Sequence, residues 1–199
     1  MQEKTPHLIL AFLLGLSIWS FIGPHDMQVW WTEMTAVILL LSALVGTRHR
    51  FRFSNTAYVC MAIWCAMQIV GAHYTFEHVP FDAISRLFDF ERNHYDRVAH
   101  FAVGLGGIAI AELLWKKRIV NSIPAAAWFS IVFMLAIAGL WEIAEWAYAE
   151  IDGGDAGQAF LGSQGDEWDA QKDMVLDTLG AAVAATVFYI QQRKGTHLR

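Results

Sequence analysis

The sequence predicts an all-α polytopic membrane protein, a six-transmembrane-helix bundle with both termini on the cytoplasmic side. Three observations predict it. Of the 199 residues, 56% are hydrophobic and only 17% charged, against about 25% charged in soluble domains. The apolar residues gather in blocks of roughly 18 to 20, a length that crosses a bilayer. When the blocks are threaded alternately, ten of the fourteen Lys and Arg residues fall on the side of the N-terminus, the bias that marks the cytoplasmic face. A net charge of −5 with no basic domain excludes a nucleic-acid binder.

The blocks run over residues 8–23, 29–46, 57–73, 98–115, 125–148 and 174–190. The first stops at Gly23-Pro24. Only Lys4 precedes it and no small-residue cleavage site follows, so it reads as a retained span rather than a signal peptide. The second carries Glu33, and the third ends at Gln68 and His73. Cys60 and Cys65 lie five apart, off a common helix face, so neither a disulfide nor a zinc framework follows. Ser122 is placed to cap the fifth block, with Pro124 in its first turn. Trp30, Trp31, Trp115 and Trp146 stand near block ends, as an interfacial belt would. Glu112 and Lys116 have the spacing of a helical ion pair, and the basic tail with His197 reads as a membrane-surface segment. Connections are short except 74–97 and 149–173. No internal repeat is evident, and one domain is expected.

The acids divide more sharply than the bases. Seventeen of nineteen fall in the outer half, where the only Lys or Arg residues are Arg86, Arg92, Arg97 and Lys172. Carboxylates in such excess must be solvated, protonated or bound to a cation.

Three spans place paired titratable groups near one membrane surface. Asp96 and His100 are one turn apart, on a face that continues through Gly104, Gly107 and Ala111. Asp173 and Asp177 have the same spacing, continuing through Gly180, Ala181 and Ala184. Glu142 and Glu145 share a face with Ala138. Small residues let membrane helices pack closely, so the three pairs are expected to meet. Asp96 and Asp173 could equally be helix caps. Asp177 lies a turn deeper than a cap, and the two Glu residues sit near a helix C-terminus, where the dipole disfavours anions. His25, Asp26, His78, His94, Asp166, Glu167 and Asp169 lie on the same side. The acidic, Gly-rich stretch from Asp152 to Asp169 lacks the spacing of a calcium loop.

The residues His73-Tyr74-Thr75-Phe76, Val79-Pro80-Phe81 and Arg92-Asn93-His94-Tyr95-Asp96-Arg97-Val98-Ala99-His100-Phe101 resemble the YjdF family of bacterial inner-membrane proteins. So do Glu142-Ile-Ala-Glu145-Trp146, the stretch from Leu161 through Gln164-Gly165-Asp166 to Met174, and Asp177-Thr-Leu-Gly180-Ala181. The resemblance covers nearly the whole chain and implies a helical fold in the bacterial inner membrane, without an established reaction. More distantly, the order Asp-x3-His, Glu-x2-acid, Asp-x3-Asp-x2-Gly is similar to VanZ-type membrane proteins. Those tend to carry Gln where Glu145 stands and Asn where Asp177 stands.

Two functions fit these residues. One is a metal-dependent hydrolase or transferase acting on a membrane lipid or lipid-linked substrate that enters sideways. Asp96, His100, Glu142 and Asp173 would ligate a divalent Zn, Mn, Fe or Mg ion. Glu145 or Asp177 would be the general base, and Arg92, Arg97, Lys172 and His94 would hold an anionic head group. The other is a non-enzymatic scaffold, or a small cation- or proton-linked transporter, using the same charged cluster. Asp96, Arg97, Glu145 and Lys172 could then form an ion-pair network. A carrier needs polar groups through its full depth, and the inner half of these spans has almost none.

Overall fold

The computed structural model describes residues 4–152 and 154–196. Among them every regular element is helical. The α-helices are α1 (Thr5–Phe21), α2 (Met27–Thr47), α3 (Asn55–Tyr74), α4 (Asp82–Phe88), α5 (Tyr95–Gly104), α6 (Gly107–Lys116), α7 (Ile123–Asp152), α8 (Asp155–Leu161) and α9 (Asp169–Thr196). Five segments are long and apolar enough to cross a membrane: α2, α3, α5 with α6, α7, and α9. Helix α1 is apolar but has only 17 residues, ~26 Å at the helical rise.

Helices α1 and α2 pack on α3, α3 on α5, and α5, α6 and α7 on α9. One apolar cluster joins Leu13, Trp30, Met34, Val37, Cys65 and Ile69. A second, towards the basic end of the bundle, joins Met61, Ile108, Ala111, Ala184 and Phe188. Trp30 is not part of an interfacial belt. It is buried, and its Nε1 donates to Ser20 Oγ, which donates to the Ile69 carbonyl. That chain of bonds pins α1, α2 and α3 together. Trp31 and Trp146 are exposed as a belt requires.

Local chemistry explains the helix ends. Asp26 caps α2, accepting from the Gln28 and Val29 amides at 2.7 and 3.0 Å. Ser54 caps α3, and Ser122 accepts from the Ala125 amide at the start of α7. Glu112 does more than pair with Lys116 at 2.7 Å: it is buried and also accepts the Ser54 amide.

Three departures from the sequence reading bear on the site. The fourth span is interrupted at Leu105–Gly106, where i→i+3 bonds replace the α-helical ladder. Helix α9 begins at Asp169 rather than near 174, because Asp166 accepts the Trp168 amide and starts the turn early. The two long connections contain the short helices α4 and α8. The basic tail from residue 197 lies outside the described residues, as do the side chains of Asp152 and Asp155.

Candidate functional site

The contact between α5 and α9 is made of backbone. A Cβ on Gly104 would overlap the Asp177 carbonyl oxygen, and one on Gly180 would overlap the Phe101 carbonyl. Gly107 continues the seam against Ala181. This close approach carries the side chains just above it into one another.

His100 stands at the centre. Its Nδ1 lies 3.0 Å from Asp177 Oδ2, and its Nε2 faces Asp96 Oδ1 at 3.6 Å and Glu142 Oε1 at 4.0 Å. Asp96, His100 and Asp173 each offer one ligand atom, all within 4.8 Å of one another. His100, Glu145, Asp173 and Asp177 are buried, and the Glu142 side chain is 9% exposed. The six expected side chains are therefore brought together at the acidic end of the bundle. Neither Asp96 nor Asp173 is a cap: Asn93 Oδ1 accepts the Tyr95 amide at the start of α5, and Asp173 sits a full turn inside α9.

Glu142 Oε1, Asp173 Oδ1 and Asp177 Oδ1 are buried without a hydrogen-bond partner. An unpaired buried acceptor costs ~1–3 kcal/mol. Several of them around one point call for a proton, a water or a cation. Asp177 lies behind the imidazole at Nδ1, which orients the ring so that Nε2 faces Asp96 and Glu142.

The cations near the nest are engaged elsewhere. Arg92 pairs with Asp169 at 2.5 Å, Arg97 with Asp166 and Asp169, and Lys172 with Asp166 at 2.5 Å. Arg92 also donates to the Ser163 carbonyl, and Gln164 and Asn93 exchange bonds beside it. This latch ties the loop after α8 to the start of α5. The Asp166 carboxyl is held well below the usual carboxylate range, chiefly by its bond to Lys172 and further by the Trp168 amide and Arg97. Partial burial, with Arg97 and Arg92 close by, lowers the His94 imidazole below its ordinary value. The expected network of Asp96, Arg97, Glu145 and Lys172 does not form among the described residues. Adjacent helical positions point in different directions, so Asp96 turns inward while Arg97 turns to the loop. Nothing in the spacing linked Arg92 and Arg97 to Asp166 and Asp169, some 70 positions away.

A cavity of about 630 Å³ opens from the nest, lined at its acidic end by Glu33, Gln68, Asp96, His100, Glu145 and Asp177. It continues towards the basic end between α2 (Leu39, Leu40, Ala43, Leu44) and α7 (Met134, Ile137, Ala138), over α5 and α6 (Val103, Ile110, Leu113). Helix α8 and Gly162 cover the acidic end. Gln68 Nε2 donates to the buried Glu33 at 2.7 Å. Sequence reasoning placed Glu33 and Gln68 on this side but missed the cavity, because a slot between helices leaves no periodic signature.

Residues 5–194 match the model of a family described as predicted membrane protein (DUF2238). The chain is 32% identical over 198 residues to the inner membrane protein YjdF of Escherichia coli (strain K12), covering 98% of this chain and 92% of that protein. No solved structure matches it.

Proposed function

The chain belongs to the DUF2238 family of predicted membrane proteins, and we propose that it is a bacterial inner-membrane hydrolase or transferase that uses a divalent metal ion on a lipid or lipid-linked substrate. The observation that carries this reading is the convergence of Asp96, His100 and Asp173, whose ligand atoms lie within 4.8 Å of one another, with Asp177 behind the imidazole. Glu142 supplies a fourth donor from α7. A donor set of oxygens with one imidazole suits Zn, Mn, Fe or Mg. Such an ion would lower the pKa of a bound water and polarise an ester or phosphoryl oxygen. Glu145 faces the cavity and is the group placed to take a proton there. Asp177 acts by orienting His100. The latched Arg92, Arg97 and Lys172, with His94, shape the rim of the site, and binding an anionic head group would require them to leave Asp166 and Asp169. Among the described residues the cavity walls carry no acid or base towards the basic end, which favours an amphiphile over an ion path.

Metal analysis of protein purified without chelators tests the proposal. Near one ion per chain is expected in the wild type and in Asp82→Asn, which alters an exposed acid in the first turn of α4, and none in His100→Ala or Asp173→Asn. A metal-free wild type, with the two site variants merely less stable, supports the scaffold reading.

Helix α1 completes six spans in this reading, slightly short for a ~30 Å core, with both termini cytoplasmic. Reporter fusions after residues 119 and 160 should then report opposite sides of the membrane. The same side for both would overturn the topology.

A further inference from the structure

We infer that the slot between α2 and α7 binds one acyl chain of an ester-linked phospholipid whose head group carries a cationic amine, and that it discriminates against anionic head groups. This rests on the lipid reading above and narrows it to a substrate class. Four observations carry it. The slot runs along α2 from Glu33 to Thr47, ~21 Å at 1.5 Å per residue, which is most of the depth of one span. Its volume lies within the ~300–1,000 Å³ of ordinary ligand sites.

It is also open to the bilayer. Helix α2 packs on α3 and α8, and α7 on α6, α8 and α9, so the slot between them is bridged by α8 at its acidic end. Flanking Leu39 is 64% exposed and Ile137 40% exposed. In a membrane those side chains meet acyl chains, and a chain can pass between them without crossing water.

The acidic end sets the head-group charge. Glu33, Asp96, Glu145 and Asp177 line it, with His100 the one base among the described lining residues, and the nearby Arg92, Arg97 and Lys172 side chains belong to the latch. The unpartnered Oδ1 of Asp177, a side chain 1% exposed, is among these lining groups. An amine therefore meets several oxygen acceptors at this end, whereas an anionic group meets no free cation among the described residues. The last observation lies one turn deeper. Trp64 lines the slot four residues before Gln68, and its indole Nε1 is buried without an acceptor. That donor sits ~6 Å below the head-group level, where a phospholipid carries its ester carbonyls.

Photo-crosslinking tests the inference on the full chain in maltoside micelles. The probes are diazirine-chain phosphatidylethanolamine and phosphatidylglycerol, with labelled peptides mapped by mass spectrometry. The ethanolamine lipid should label α2 and α7 about 10-fold more strongly than the glycerol lipid. Ala43→Trp fills the slot from an exposed position and should cut labelling to background while leaving metal content unchanged. Trp64→Phe should weaken labelling by the diacyl probe ~2–10-fold and leave a dialkyl-ether analogue unaffected. Equal labelling by the two head groups, or labelling untouched by Ala43→Trp, overturns the inference. Selective labelling of a metal-free protein would sustain it and sink the metal reading alone.

Discussion

Gly180→Leu should leave little folded protein, and Gly104→Leu should do the same. Each new side chain would begin inside a backbone carbonyl of the facing helix, so α5 and α9 must separate along their whole seam. Overpacking a compliant core costs ~1–3 kcal/mol. Backbone cannot yield as a side chain does, so the expected loss lies at or above that range. The controls are internal. Gly15 and Gly46 have nothing within 4 Å of an added Cβ, and leucine there should be neutral or favourable by ~0.5–1 kcal/mol through helix propensity. Thermal unfolding in detergent reads all four. A Gly180→Leu protein as stable as Gly46→Leu would mean that α5 and α9 do not touch as described.

Asp169→Ala should cost ~3–5 kcal/mol, the range for removing one partner of a buried ion pair. It leaves the guanidinium groups of Arg92 and Arg97, both more than four-fifths buried, facing each other with less counter-charge. Lys172→Ala should cost ~1 kcal/mol or less, because that side chain is 48% exposed and exposed pairs contribute little. The latch also has a definite acid limit. Asp166 titrates lower folded than its ordinary ~3.9. Its contribution is therefore complete above about pH 4 and is lost as pH falls through the folded value. Acid unfolding monitored by tryptophan fluorescence should show that dependence below about pH 4 and lose part of it in Asp166→Asn. An acid transition unchanged by that substitution would remove Asp166 from the latch.

Much of the nest was legible because two independent patterns agreed. Lys and Arg placed the acids of the fourth, fifth and sixth spans at one surface, while Gly104, Gly180 and Ala181 marked the faces that meet. Helical periodicity then brought His100 to Asp177. What periodicity cannot encode is pairing between irregular segments. Arg97 could be assigned to a face of α5 but not to Asp166, which a loop carries back to it. Seven-residue helices such as α4 and α8 lie below the length at which an apolar stripe is diagnostic. Trp30 looked interfacial from its position near a span end, yet its bond to Ser20 takes it into the core. Asp173 looked like a cap only because the start of α9 was placed five residues too late.

The meeting of α5 and α9 at Asp96 and Asp173 can be measured directly with paired cysteines. The background is Cys60→Ala with Cys65→Ala, which removes both native thiols. Asp96→Cys and Asp173→Cys are then introduced together, with a protease site between α6 and α7. After Hg²⁺ or mild oxidation and cleavage, the two fragments should remain joined without reductant, and each single-cysteine control should separate. Fragments that part in the double variant, in a protein that still runs as a folded species, would contradict a shared coordination sphere for these helices.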